Sequence, residues 1–529
     1  REGRDLNASK IGQALLSAFT HSIILEGITL FAFPSMDLKG VGDYYAFGTA
    51  AYSCLLVCMN YRVAFLNYTH NKYTVGSIFL SFALYAFYLV AYPCQKLVTS
   101  ILAPNMYMVP WRLVQVPIFW LCLLTVPATA MIIDMMIHTM HEHFDDWVGK
   151  VAFLRRDPTN NKDVRSPRRE GREEYARLTA DDSSKSTEED DDAPQFPDSG
   201  LNYSDFAQQK LTGRQPFVHL NVSLVAFVVG FLIALVGCAN LLASHANSQI
   251  RIHYEGGSGG SMFADPLGTN SEMEVFSVQE KCKRSAASAG LCSVTVTVPE
   301  DMKPPILLYY ALGPFYQNYN NYLKSEVSKE LMGADVDEAF RANLCVKQTR
   351  IDANGDSIVP CGMKATSVFN DTFKVEGFKI HKSGIAWDSD IDRYNNPADY
   401  KTREGVSWLY DRYPLVVPED APLEEQGVKN EQFAVWMRPS ALWRVWNPYG
   451  YLQDELKRGQ NLTVHIDSVY PVHPFNGYKQ LVLTTTGAIG GRDDAFGYLL
   501  MFSAVLCWLA ALLTCILKQS SLGMKSEGM

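Results

Sequence analysis

Apolar residues are unevenly spread along this chain. They gather into six charge-poor runs of roughly 20 residues, near 12–33, 45–66, 74–93, 112–134, 218–243 and 496–517. As helices rising 1.5 Å per residue, such runs are long enough to cross about 30 Å of hydrocarbon. Between the fifth and sixth the pattern changes. SVTVTV (293–298), FKVEGFKI (373–380), NLTVHIDSVY (461–470) and KQLVLTTTG (479–487) are rich in β-branched and aromatic residues and predict strands. Helical spacing appears only in YNNYLKSEVSKELMG (319–333) and NEQFAVWMRPSALWRVW (430–446). The pattern predicts a membrane protein: six transmembrane α-helices plus one mostly antiparallel-β extracytosolic domain with helical excursions.

Six segments follow. Residues 1–143 form a four-span membrane domain, 144–215 a charged linker, 216–243 the fifth span, 244–495 the β-rich domain, 496–517 the last span and 518–529 a tail. The linker contains RRDPTNNKDVRSPRREGREE and then STEEDDD, with few aliphatic residues and no helical stripe, so it reads as disordered. That acidic run supplies part of the net charge of −9 and says little about partners. The chain opens on Arg1 without a signal peptide and reads as the tail of something longer.

Lys and Arg stay preferentially on the cytoplasmic side. The linker carries about a dozen of them, whereas the connections 34–44 and 94–111 carry far fewer. The linker and C-terminus are therefore expected in the cytosol and residues 244–495 outside it.

This topology sorts the cysteines. Seven lie in or beside spans, while Cys282, Cys292, Cys345 and Cys361 fall in the external domain, where an even number argues for two disulfides. Three connectivities are possible. The local one, Cys282–Cys292 with Cys345–Cys361, closes short loops worth roughly 2–3 kcal/mol each. The spacings do not suit zinc. Sequons at Asn370 and Asn461 are the two expected to carry glycans.

Chemistry for hydrolysis is missing from the sequence: there is no DKTGT, no TGE-type loop and no GxxxxGK[ST]. Glu26, a carboxylate within the first span, is a candidate intramembrane polar site, read as pairing with a neighbouring helix. Asn60 and Arg62 read as an anchored, snorkelling helix end. His138, His141 and His143 do not share one helical face and read as a basic juxtamembrane cap.

Several motifs in order resemble the cell-division-cycle-fifty family, the accessory β-subunits of phospholipid flippases. They are FAQQKL (206–211), PPILLYYALGPFYQNYNNYLKS (304–325), VPCGMKATSVFNDTF (359–373), GIAWDSDIDRYNNP (384–397), FAVWMRP (433–439) and YPVHPFNGYKQLVLTTTGAIGG (470–491). The resemblance covers about 205–517. It implies that Cys361 is stapled to Cys345 and that the protein chaperones a flippase out of the endoplasmic reticulum and supports phospholipid translocation. Phe315, Tyr316, Gln317, Asn318 and Trp387 are then candidates for subunit contact.

The first four spans, including THSIILEGITLFAF (20–33) and VPIFWLCLLTVPATAMIID (116–134), resemble the last four spans of a type-IV P-type ATPase, the catalytic flippase subunit. The chain thus reads as a catalytic-subunit tail joined to an accessory subunit, by true fusion or by two adjacent genes read as one. The implied partners are a type-IV P-type ATPase catalytic subunit, in cis or in trans, and membrane phospholipids, with no nucleic acid. The chain itself is expected to be no enzyme and to hold no cofactor, ATP and magnesium belonging to the missing catalytic core. It is expected in membranes of the secretory pathway: endoplasmic reticulum, Golgi, endosome or plasma membrane. The competing reading is a membrane-anchored surface glycoprotein that binds ligands through its external domain.

Overall fold

The computed structural model describes residues 8–33, 39–40, 42–66, 72–95, 99, 104–154, 222–256, 274–277, 290–487 and 489–526. Three apolar runs become α1 (Ala8–Ala32), α2 (Tyr44–Leu66) and α3 (Lys72–Ala91). The fourth is broken. A short α4 (Val109–Val114) ends at Gln115, and α5 restarts at Pro117, where a missing N–H costs nothing because the first turn has no partner for it. Rather than stopping at the expected boundary of 143, α5 continues to Leu154. The rest of the expected linker lies outside the described residues.

Two more long helices, α6 (Val222–His245) and α10 (Asp494–Ser526), flank the β-rich lobe. Among the described residues, five helices are long and apolar enough to cross a membrane. The expected sixth, α2, is not one of them, because Asn60, Arg62 and several hydroxyl side chains dilute its apolar character. It nevertheless packs into the same apolar cluster through Ala46, Ala50, Cys54 and Cys58.

Helices α6 and α10 meet through small residues. A Cβ on Gly230 would stand 2.8 Å from the Trp508 indole, and one on Gly497 would stand 2.6 Å from Leu241. Close approach of this kind is how membrane helices gain packing energy where water offers no driving force. Hydroxyl contacts between Ser223 and Thr514 (2.8 Å) and between Ser244 and Asp494 (2.5 Å) lie toward the two ends of the pair.

The lobe is built from three sheets. Strands β1 (Gln249–Glu255), β2 (Glu274–Ser277), β4 (Ile306–Gly313), β8 (Val445–Leu452) and β10 (Tyr478–Thr485) form a five-stranded sheet in the order β2-β1-β10-β4-β8. A second sheet has the order β3-β9-β6, from Gly290–Thr297, Asn461–Ser468 and Thr372–Val375. A pair, β5 (Ser357–Ile358) with β7 (Val406–Ser407), completes the set. Pairing is antiparallel except for β1–β2 and β5–β7, which run parallel. In β9 alternate residues are buried, whereas all eight residues of β4 are, so β4 is covered on both faces.

The core between the two larger sheets contains Ile252, Val294, Leu308, Phe373, Val464 and Leu481, joined by Phe433 and Trp436 from the helical excursion. One buried polar knot crosses it. Lys479 on β10, which has no solvent exposure, places Nζ 2.7 Å from both Glu255 Oε2 and Asp371 Oδ2. Asp371 also accepts the Tyr254 hydroxyl and the backbone N–H groups of Val469 and Tyr470. The aspartate of the FNDTF stretch therefore fastens the three-stranded sheet to the five-stranded one.

Candidate functional site

The site lies where the connections of the first four helices meet the lobe. Asp43 opens α2, its Oδ1 accepting the N–H groups of Tyr45 (3.0 Å) and Ala46 (2.9 Å), which satisfies donors that the first turn leaves free. The same residue forms an isolated antiparallel bridge with Ser440, and the Tyr44 N–H donates to the Pro439 carbonyl at 2.8 Å. The FAVWMRP motif supplies that segment: a short α9 (Glu431–Trp436), capped by Asn430, ends just before Arg438 and Pro439. Arg438 donates to the carbonyls of Lys39 (2.9 Å) and Gly40 (3.2 Å).

GIAWDSDIDRYNNP forms the facing wall, with one turn, α8 (Asp388–Ile391), following Trp387. The Trp387 indole N–H donates to the Gly40 carbonyl at 3.0 Å, and Lys39 Nζ and the Arg112 guanidinium lie 5.7 and 5.8 Å from its ring. Arg112, on α4, donates to Asp390 Oδ1 at 2.7 Å. Arg438 approaches the other oxygen of Asp390 at 3.4 Å and Asp43 at 3.9 Å, ion-pair separations without hydrogen-bond geometry. Arg393 donates to the Pro104 carbonyl, and Asn105 Nδ2 donates to Glu326 Oε1 at 2.7 Å. Lys364, 1% exposed, holds the other oxygen of Glu326 at 2.7 Å.

Charges of opposite sign thus alternate through a water-poor junction. Burial pushes Arg438 below the ordinary arginine range, against the pull of Asp390 and Asp43. Burial works to raise Glu326, but Lys364, Asn105 and Arg393 together outweigh it and hold the carboxyl below the usual glutamate range. Arg393 stays above its usual value because Tyr394 and Asp390 outweigh its burial.

The PCG stretch, which leads into the single turn α7 (Met363–Thr366), buttresses this wall from behind. Cys361 is bonded to Cys345. Gly362 has φ +111, and a Cβ there would stand 2.3 Å from the Ser325 carbonyl, so only glycine fits. The Cys361 N–H donates to Glu330 Oε2 (2.8 Å) and the Met363 N–H to Ser325 Oγ (2.9 Å), which fixes the 325–330 segment that carries Glu326.

The candidate residues separate accordingly. Trp387 is at the junction. Gln317 is fully buried one layer back, accepting the Ser440 N–H at 2.7 Å, and Asn318 donates to the Ala441 carbonyl at 3.0 Å, so both brace the docking segment. Phe315 lies away from this junction, packing against Tyr322, Trp436, Tyr470 and Phe475 in the lobe. Tyr316 is exposed. Asn461 is exposed at the start of β9, while Asn370 is half-buried with its Oδ1 enclosed. Cys292 is disulfide-bonded, and Cys282 lies outside the described residues.

The membrane charges also differ from expectation. Glu26 pairs with no neighbouring helix among the described residues and faces an open groove. Arg62 does not snorkel freely; its Nε lies 3.6 Å from Asp134 Oδ2. Asp134 on α5 also accepts Ser17 Oγ at 2.6 Å and has His21 Nε2 at 3.0 Å, a cluster joining α1, α2 and α5. The spacing of Ser17 and His21, one turn apart on α1, was a legible hint of a shared polar partner. Among the described residues no group of His, Cys, Asp or Glu could hold a metal ion. The side chains of His138, His141 and His143 lie outside the described residues.

Comparison with known proteins accounts for this two-part arrangement. Residues 240–521 match the LEM3 (ligand-effect modulator 3) family / CDC50 family, and residues 1–146 match the phospholipid-translocating P-type ATPase C-terminal family. The chain is 30% identical over 321 residues to ALA-interacting subunit 3 of Arabidopsis thaliana, covering 59% of this chain and 84% of the relative. It is 29% identical over 318 residues to Cell cycle control protein 50A of Bos taurus, covering 55% and 81%. It is 28% identical over 239 residues to Phospholipid-transporting ATPase accessory subunit LEM3 of Saccharomyces cerevisiae, covering 42% and 57%. The chain therefore belongs to the CDC50/LEM3 family and carries, ahead of that domain, a region matching the C-terminal end of a phospholipid-translocating P-type ATPase.

Proposed function

We propose that this protein is the accessory (β) subunit of an ATP-driven phospholipid flippase, with four catalytic-type helices docked in cis on its own extracytosolic lobe. The observation that carries the reading is the buried Arg112–Asp390 pair, which joins the ATPase-like helices to a family motif of the lobe. Relatives whose names denote ATPase-interacting and accessory subunits support it. On this reading the lobe faces the lumen or cell exterior, with glycans at Asn370 and Asn461. The protein escorts its catalytic partner from the endoplasmic reticulum and steadies it through translocation. Fusion holds the two halves at an effective concentration of roughly millimolar. ATP and magnesium belong to the partner's catalytic core.

The experiment is co-expression of the full chain with a type-IV P-type ATPase catalytic chain in cells lacking their own accessory subunits. Co-purification of the two chains and restored uptake of a fluorescent aminophospholipid are expected. A fully exported, glycosylated chain that neither binds the ATPase nor restores uptake overturns the proposal.

A further inference from the structure

The polar knot that fastens the two larger sheets is built more elaborately than a salt bridge requires. Lys479 and Asp371 have no solvent exposure, and Glu255 is 3% exposed. Lys479 Nζ lies 2.7 Å from Asp371 Oδ2 and 2.7 Å from Glu255 Oε2, with the centre of the Tyr254 ring at 5.4 Å. The two oxygens of Asp371 are held differently. Oδ1 accepts two backbone N–H groups, those of Val469 and Tyr470, both at 2.6 Å. Oδ2 instead takes the Tyr254 hydroxyl at 2.8 Å and the lysine. Glu255 has no such cradle: among the described residues its Oε1 has no hydrogen-bond partner.

An amine, a carboxyl and a second carboxylate thus meet in the arrangement that an acyl transfer needs. Charges are costly so far from water, and a proton passing from the ammonium to the aspartate neutralises both. Burial works in that direction on Asp371, raising its carboxyl above the ordinary aspartate range even against Lys479. The freed amine is already held against the carboxyl, so no encounter has to be arranged. The two N–H groups aimed at Oδ1 form an oxyanion hole, which Glu255 lacks, so Asp371 is the acyl group and Glu255 the base. We propose that Lys479 and Asp371 condense into an intramolecular isopeptide bond, joining β10 to the residue that precedes β6, with Glu255 as the proton carrier. The Nζ–Cγ bond forms and the Cγ–Oδ2 bond breaks. Of the three ammonium protons, one has passed to Oδ2 and a second crosses through Glu255 to the same oxygen, which leaves as water. The third stays on the amide. Glu255 ends as it began, and the step needs no oxidant or cofactor. Exclusion of water from the core then protects the product from hydrolysis.

The test is peptide mass mapping of the full chain purified in detergent, after disulfide reduction and glycan removal. The expected finding is a branched pair of peptides, one holding Asp371 and the other Lys479, lighter than their sum by one water. Tryptic cleavage after Lys479 should be absent. Glu255→Gln should slow formation of the branch by about a hundredfold or more, as for loss of a general base, so that newly made chain yields the two peptides separately. Lys479→Arg, which keeps a cation at the site, should abolish the branched pair. Two separate, unmodified peptides from the wild-type chain overturn the inference, whether or not any variant folds. A branch from Lys479 to the peptide holding Glu255, or an undiminished yield in Glu255→Gln, overturns the roles assigned to the two carboxyls.

Discussion

Arg112 and Asp390 stand 278 positions apart in the chain, yet Arg112 Nη2 lies 2.7 Å from Asp390 Oδ1, with the side chains 6% and 3% exposed. One comes from the ATPase-like helices and the other from the lobe, so this contact joins the two halves. Removing one partner of a buried pair strands the other charge, a larger effect than the net worth of the pair. Asp390→Ala should destabilise the purified full chain by about 3–5 kcal/mol. Arg112→Ala should cost less, since Arg438 still faces the aspartate. The double variant should fall short of the sum by more than about 1 kcal/mol, measured by unfolding in detergent. Strict additivity would show that the two residues do not act together.

Trp387 offers both an apolar ring and one donor to the junction. Trp387→Ala should cost about 2 kcal/mol or more, as for a central aromatic anchor, while Trp387→Phe should lose about 1 kcal/mol with the hydrogen bond to Gly40. The readout is hydrogen exchange of the Tyr44 amide, which donates to Pro439 across the junction. Unchanged protection in Trp387→Ala would remove Trp387 from the interface.

The Cys345–Cys361 bond closes a loop with a sequence separation of 16 and lies behind the segment carrying Glu326. Cys361→Ser should cost roughly 3 kcal/mol by loop entropy. It should also raise the exchange rate of the Met363 amide, which bonds Ser325, more than that of amides in β9. Equal loosening throughout the lobe would argue against a local buttress.

His253 on β1 is pulled down to about 4 by burial and by Arg251 and Arg444. The folded protein therefore binds this proton more weakly than the unfolded chain. The corresponding stability is present above the ordinary histidine range and is lost as pH falls through it toward 4. Acidification from pH 6.5 to 5 should cost up to about 2 kcal/mol, and His253→Gln should flatten that slope. Glu326 acts in the same sense but lower on the pH scale: held below its usual range despite burial, chiefly by Lys364, it keeps its contribution through this interval and loses it only in stronger acid. A pH profile unchanged by His253→Gln would assign the acid sensitivity to other groups.

Much of the architecture was legible in linear order. Long apolar runs specify helices because hydrocarbon leaves the backbone no other partner, and β-branched alternation specifies strands such as β9 because only that spacing buries one face. The Cys345–Cys361 proximity and the position of Trp387 on a docking motif were also within reach. Where Phe315 packs was not legible, because an aromatic suits a core and an interface equally well. Arg62 was misread because snorkelling and pairing look alike until Asp134, on another helix, is brought beside it.

By itself, then, the sequence determined which segments form long apolar helices, where strands alternate, and which family motifs the chain carries, since each depends on neighbours within a few turns. Only the tertiary structure decided which charges meet: Arg112 with Asp390, Asn105 with Glu326, Asp134 with Ser17, His21 and Arg62, and Glu26 with none among the described residues. Ion pairs are set by separation in space, which falls to a few ångströms only after helices and sheets have packed, and no local pattern encodes it.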